Sequence, residues 1–145
     1  MSDILSQTIS HLDTLVRQHR LHETEAGDPL RALARAHVLV ALKRLDGAEK
    51  GLLLRFLYEA GLVGGEDGLG GRREAVILLN GADLTQAHLA HANLAWGQFV
   101  AADFSRADLG HAYLMCANLG AVDMIDADLR GANLQLANLA VAWIS

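Results

Sequence analysis

Large apolar residues recur at every fifth position in the C-terminal part of the chain, from about Ile77 to Ser145. A small residue, usually alanine, stands two positions before each of them. A period of five matches neither the 3.6 residues of a helix nor the two residues of a strand. The pattern therefore predicts one repeated backbone unit whose large and small residues both point inward. The large residues are Leu84, Leu89, Leu94, Phe99, Phe104, Leu109, Leu114, Leu119, Met124, Leu129, Leu134, Leu139 and Ile144.

The position between the small and the large residue is usually Asp or Asn, as in Ala82-Asp83-Leu84 and Ala132-Asn133-Leu134. These residues resemble the pentapeptide-repeat family, whose motif reads Ala-(Asp/Asn)-Leu-x-x. The resemblance implies a right-handed quadrilateral β-helix, a solenoid in which each pentapeptide forms one side. The resemblance covers residues from about 77 to 145, and the expected β-helix domain spans residues 75–145. It implies roughly three coils, stacked about 4.8 Å apart.

The first 63 residues show helical spacing instead, so the predicted fold class is α+β. A first helix is expected from about Asp3 to Leu21. Asp28-Pro29 has the form of an N-cap followed by proline, which starts a second helix. Asp46 with Glu49 indicates the start of a third, which ends near Gly61. This segment is similar to helical segments that precede pentapeptide repeats in bacterial proteins.

A glycine-rich stretch joins the two parts. Five of the eight residues from Gly64 to Gly71 are glycine, which predicts a flexible linker over residues 64–74. Residues Ala75 to Leu79 are expected to enter the solenoid as a strand. Because solenoid ends expose core side chains, we expect the helices to cap the first coil. The alternative is an independent helical domain that binds partners and moves on the glycine joint.

The charge distribution argues against nucleic acid as a partner. The net charge is −5, and the residues from Asn80 onward include six aspartates but only two basic residues, Arg106 and Arg130. Direct binding of nucleic acid needs clustered Lys and Arg, so the repeat is not expected to bind it. No apolar run approaches the ~20 residues that span a membrane. With neither a secretory signal nor a membrane segment in view, we expect a cytoplasmic protein.

No catalytic motif or cofactor motif is present, so we predict neither an enzyme nor a cofactor. A twenty-residue spacing places His91 beneath His111, on the same side as His88. Imidazoles with a carboxylate from Asp108 or Asp128 on the same side could hold zinc, but no second-shell partners are evident and no metal is predicted. Asp83, Asp103 and Asp123 form a second column, which we interpret chiefly as a solvated ladder.

Apolar side chains at outward positions indicate a contact surface, because exposed apolar stripes usually mark interfaces. The third side carries Trp96, Tyr113, Met115, Cys116 and Leu136. We therefore predict a scaffold that binds an unidentified protein partner. The alternative is a DNA-mimicking modulator of a type II topoisomerase (gyrase), with the aspartate column standing in for phosphates. The family implies that function for longer rods than the roughly 15 Å expected here.

Repeats continue to the last residues, where Trp143 and Ile144 follow the same pattern. An open strand edge over an apolar core favours pairing with another chain. We therefore predict a homodimer through the C-terminal coil, with Trp143 and Ile144 in the contact. The alternative role of Trp143 is to fold over its own coil.

Overall fold

A computed structural model describes residues 2–65, 69 and 72–145 of the chain. Its first part contains helix α1 (Asp3–Arg17), a short 3₁₀ helix (Leu21–Glu23), α2 (Pro29–Leu42) and α3 (Gly47–Glu59). All three predicted α-helices are therefore present. None of the helices in the described chain combines the length and the apolar character that a membrane span requires.

Side-chain caps fix the start of each helix. Asp28 Oδ1 accepts a hydrogen bond from Leu30 N at 2.9 Å, directly before the proline that begins α2. Asp46 Oδ1 accepts from Glu49 N at 2.9 Å at the start of α3. Each cap satisfies an amide that the first helical turn leaves without a partner. Both predicted N-termini are thus confirmed.

The predicted end of α1 at Leu21 is wrong. Helix α1 stops at Arg17, and Arg20 takes a left-handed conformation with φ of 50°. That conformation breaks the helical path and turns the next residue, Leu21, into the core, where it is fully buried. The sequence pattern suggested a longer helix because the buried Leu21 keeps the spacing of apolar residues beyond the point where the helix ends.

The repeats bring residues twenty positions apart into parallel register. Asp83 pairs with Asp103 and Asp103 with Asp123, and equivalent bridges join His88 to Asp108, Asn93 to Tyr113 and Gln98 to Asn118. We number these four positions sides one to four and call residues 82–101, 102–121 and 122–141 the first, second and last coil. Among the described residues, regular strand pairing occurs in β1 (Asp123–Met124) and β2 (Trp143–Ile144), which form a parallel two-stranded sheet on side one.

The expected entering strand from Ala75 to Leu79 is absent. Val76 N and Ile77 N both donate to Leu62 O, at 2.9 and 2.8 Å, so the chain bends sharply against the end of the helical part. Leu79 N then donates to Gln98 O at 3.0 Å and joins the repeat pairing. Most of the predicted glycine joint (residues 66–68, 70 and 71) lies outside the described residues.

Corners between the sides have a left-handed backbone. The last residue of each pentapeptide has positive φ, as in Gln86 (58°), His91 (60°) and Trp96 (63°). Only a few residue types adopt this conformation easily, and glycine is the main one. Glycine occupies the corner at Gly81 and Gly131, whereas most other corners carry ordinary side chains. Each corner therefore turns the backbone and directs its side chain outward.

The helices and the first coils share one apolar core. Leu53, Leu54 and Leu57 of α3 belong to the same buried cluster as Leu84 and Leu89 of the repeat. Arg35 of α2 adds polar contacts, donating to Leu78 O at 3.0 Å and to Asn80 O at 2.8 Å. Apolar and polar contacts therefore both join the helices to the start of the repeat.

Candidate functional site

Two glycines seat α3 directly on the backbone of the first coil. A Cβ atom added to Gly47 would lie 2.2 Å from Gln86 O, and one added to Gly51 would lie 2.2 Å from His88 O. The missing side chains allow His88 N to donate to Gly47 O at 2.9 Å. The helix therefore supplies a backbone acceptor of the kind that another coil would supply.

A buried lysine stabilises this contact between α3 and the first coil. Lys50 is only 4 % exposed, and its Nζ lies 3.0 Å from Asp83 Oδ1. The same Nζ donates to Thr85 O at 3.0 Å and to Thr85 Oγ1 at 3.2 Å. A buried ammonium group needs such partners, because leaving it unpaired costs several kcal/mol. Lys50 therefore connects α3 to side one by an ion pair and hydrogen bonds.

This arrangement changes the interpretation of the aspartate column. Burial opposes ionisation of Asp83, but hydrogen bonds from Thr85 and Lys50 and the Lys50 charge outweigh it, so the pKa of Asp83 lies below its ordinary value. Its carboxylate is therefore part of the contact between α3 and the first coil. The predicted stacking of Asp83, Asp103 and Asp123 is confirmed, since each pairs in parallel register with the next.

The Asp or Asn residue between the small and the large residue of a repeat stabilises the turn that follows it. Asp103 Oδ1 accepts from Ser105 N at 2.9 Å, and Asp123 Oδ1 accepts from Ile125 N at 2.9 Å. Asn93 and Asn133 make the same bond two residues ahead, at 3.1 and 3.0 Å. These Asx-type turns satisfy a backbone N–H beside each corner. The motif preference for Asp or Asn follows from this bond.

Side two carries the predicted histidine stack. The His91 and His111 rings lie 5.0 Å apart between centroids and are nearly parallel, at 10°. His111 also covers Gly131, where a Cβ atom would lie 2.3 Å from its Nδ1. Nearby, Asp128 has its pKa lowered to about 2, chiefly by the hydrogen bond from Arg130. Within the described residues, no group of three or more His, Cys, Asp or Glu is placed to hold a metal ion.

Side three brings the predicted apolar surface residues together. Backbone bonds connect Trp96 N to Met115 O and Cys116 N to Gln135 O, both at 2.9 Å, so the corners of successive coils stack. Leu136 is 85 % exposed and Tyr113 is 53 % exposed, whereas Trp96 is half-buried. Arg72 lies over the Trp96 ring at 5.9 Å from its centroid. We call Trp96, Tyr113, Met115, Cys116 and Leu136 the side-three surface.

The last coil is much more open than the first. Inward-facing Leu129, Leu134 and Leu139 are only partly buried, while Leu84 and Leu89 in the first coil are almost fully buried. Trp143 is 68 % exposed and Ile144 is 50 % exposed, so in the structure Trp143 does not fold closely over its own coil. Both predicted contact residues are therefore accessible at this end.

Sequence reasoning missed Lys50, which carries the polar contact between helix and repeat. On a helix an isolated lysine normally indicates a solvated face. The available signal was the pair Gly47 and Gly51, which stand four residues apart in a segment of otherwise good helix formers. Glycines at that spacing indicate that another backbone approaches this face of the helix closely.

Comparison with known proteins agrees with the repeat pattern. The family model described as Pentapeptide repeats matches residues 78–106 and 102–139, with eight copies. These residues therefore carry pentapeptide repeats, and the recognition of the repeats from sequence is confirmed. No curated protein sequence matches the chain significantly. Pentapeptide-repeat proteins are in general structural or interaction proteins rather than enzymes, and their repeats in general form a β-helix.

Proposed function

We propose that this chain is a non-enzymatic scaffold in the cytoplasm that binds a protein partner through the side-three surface. Its strongest support is the exposure of Leu136 and Tyr113 on a side where backbone hydrogen bonds connect successive coils. Exposed apolar groups on such a surface are stabilised when a partner covers them. Aromatic residues and Met are enriched in protein interfaces, and Trp96, Tyr113 and Met115 supply both kinds.

The proposal includes the complete form of the fold, a right-handed quadrilateral β-helix. Parallel bridges at a spacing of twenty residues on all four sides support it. Left-handed corners at every fifth residue support it as well, because they turn the backbone between sides. A β-helix would present each side as a flat surface, which suits contact with a folded partner.

Capture from native cytoplasmic extract tests the scaffold. Wild-type chain and the double variant Tyr113→Ser/Leu136→Ser are immobilised, and bound proteins are identified by mass spectrometry. We expect one set of proteins to be retained by wild type and lost from the double variant. Val40→Ser, which changes a 59 % exposed apolar residue on α2, is the matched control and should retain them. Retention by all three chains would refute the assignment to side three.

The topoisomerase alternative has less support. Mimicry of DNA needs a dense row of accessible charges, about one per 1.7 Å along a duplex. Asp83 is paired with Lys50 where α3 meets the first coil, and Asp103 uses one carboxylate oxygen for its own turn. Oδ1 of each aspartate in the column is therefore engaged in bonds within the chain. A gyrase supercoiling assay tests this alternative, and inhibition that is abolished by Asp103→Asn/Asp123→Asn would restore it.

We further propose that two copies pair through the last coil. The partly buried Leu134 and Leu139 and the exposed Trp143 and Ile144 support a self-complementary apolar contact about a two-fold axis. Light scattering at micromolar concentration should give twice the chain mass of 15.5 kDa. Ile144→Asp should give the monomer mass, because it places a charge in the contact. A wild-type monomer at this concentration would refute the dimer.

A further inference from the structure

A groove of about 720 Å³ separates α3 from side two of the first coil. Gly51 lies at its base, where the helix approaches the His88 carbonyl most closely. Gly64 and Gly65 border its far end. Residues of α3 between Ala48 and Glu59 line one wall, and residues between His88 and Leu94 of the repeat line the other.

The lining of this groove has an excess of basic groups although the chain as a whole carries −5. Arg55 and Arg73 line it, Glu59 is the acidic residue among the lining groups of the described chain, and His88 and His91 add imidazole groups. Guanidinium and imidazole N–H groups are donors suited to carboxylates. An apolar contact is also available, because Leu52 lines the groove and is 49 % exposed.

From these features we propose that the groove binds an acidic peptide segment of the protein partner. The inference rests on the proposed scaffold function and names the chemistry of one of its contacts. Carboxylates of the segment pair with Arg55 and Arg73, and an apolar side chain packs on Leu52. Arg55 now pairs with Glu59 at 2.9 Å in an exposed ion pair, which costs little to exchange for a ligand carboxylate.

The groove is continuous with the side-three surface. Asn93 and Leu94 line it, and Asn93 pairs in register with Tyr113 of the next coil. At the same end, a Cβ atom added to Gly64 would lie 3.1 Å from Trp96 O. An extended segment leaving the groove therefore reaches the apolar column within a few residues. The arginines of the groove select an acidic segment, and the side-three surface adds apolar contact area for the partner.

Selection of peptides on the full chain tests the proposal. A random peptide library displayed on phage is selected against wild type, and enriched peptides are labelled with fluorescein and titrated by anisotropy. We expect enrichment of peptides that combine several Asp or Glu with an apolar residue. Their Kd should rise about tenfold for Arg55→Gln/Arg73→Gln, and added salt should weaken wild-type binding.

The control is Arg17→Gln/Arg20→Gln, which removes two exposed arginines that are also paired with nearby carboxylates. It makes the same change in net charge and should leave the Kd unchanged. Circular dichroism spectra and thermal melts establish that both variants fold. Enrichment without acidic bias, or equal weakening in both variants, would overturn the inference. The scaffold proposal fails separately, when loss of Tyr113 and Leu136 leaves partner capture intact.

Discussion

Replacing Gly51 with alanine has two opposing effects on stability. It raises the helix propensity of α3, and it disturbs the packing of α3 on the repeat. In a helix interior, alanine is more favourable than glycine by about 1 kcal/mol. Here the added Cβ would lie 2.2 Å from His88 O and 3.3 Å from its carbonyl carbon, and both atoms belong to backbone. Neither the helix nor the coil can yield by rotating a side chain, so α3 must move outward.

Such overpacking typically costs about 1–3 kcal/mol, and the movement also stretches the Lys50–Asp83 ion pair of the preceding residue. We expect Gly51→Ala to lower the free energy of unfolding by up to about 2 kcal/mol after the gain in propensity is subtracted. For a chain of this length the melting temperature should fall by up to about 6 °C.

Urea unfolding followed by far-ultraviolet circular dichroism measures the change in stability. Gly120→Ala is the matched control, because a Cβ there would meet nothing closer than 3.4 Å, so its effect should stay within about 0.5 kcal/mol. Hydrogen exchange of the His88 amide, which donates to Gly47 O, reports the interface itself and should become faster in Gly51→Ala. A gain of about 1 kcal/mol with unchanged exchange would refute the seating of α3 on the coil.

Further predictions concern the ion pair and the corners. Asp83→Asn should cost about 1–3 kcal/mol in urea unfolding because it leaves Lys50 buried without its counter-charge, whereas Asp103→Asn, which keeps its turn, should be nearly neutral. Because the folded pKa of Asp83 is depressed, its stabilising contribution is present above the unfolded pKa of about 3.9 and is lost as the pH falls through the folded pKa. An acid titration of stability should show this loss in wild type and not in Asp83→Asn. Val141→Gly should raise the melting temperature, gaining about 1 kcal/mol, since Val141 is an exposed β-branched residue at φ of 52°; Val40→Gly, in a helix, should lower it.

The sequence predicted features that depend on periodicity. Inward alanines and leucines, the twenty-residue register and two helix N-termini all follow from spacing and capping residues that act locally. The His91–His111 stack could be predicted for the same reason, since register alone places one above the other.

Features that depend on contacts between the two parts could not be predicted in this way. The partner of Lys50 lies 33 residues ahead, and nothing in the local pattern marks the lysine as buried. The left-handed corners were missed because Gln86, Trp96 and similar residues have no preference for positive φ. The repeat enforces that conformation through pairing with the neighbouring coil, which outweighs local preference.

This division suggests where the function of such a repeat can reside. Inward positions are fixed by the core, and the Asp or Asn position is fixed by its turn. The two remaining positions of each repeat, of which the corner is the second, direct their side chains outward. The corners then differ from side to side. Side one has Gln86, Arg106 and Asp126; side two has His91, His111 and Gly131; side three has Trp96, Cys116 and Leu136; side four has Ala101, Ala121 and Val141.

Among these, side three is the one whose corners combine large apolar groups with an exposed neighbour, Tyr113. The fold does not require Trp96 or Leu136 at a left-handed corner, since Gly81 and Gly131 occupy equivalent corners without any side chain. Replacing Leu136 with glycine should therefore raise stability by about 1 kcal/mol while weakening partner capture. A loss of stability instead would mean that Leu136 serves the coil, and the contact surface would have to lie on another side.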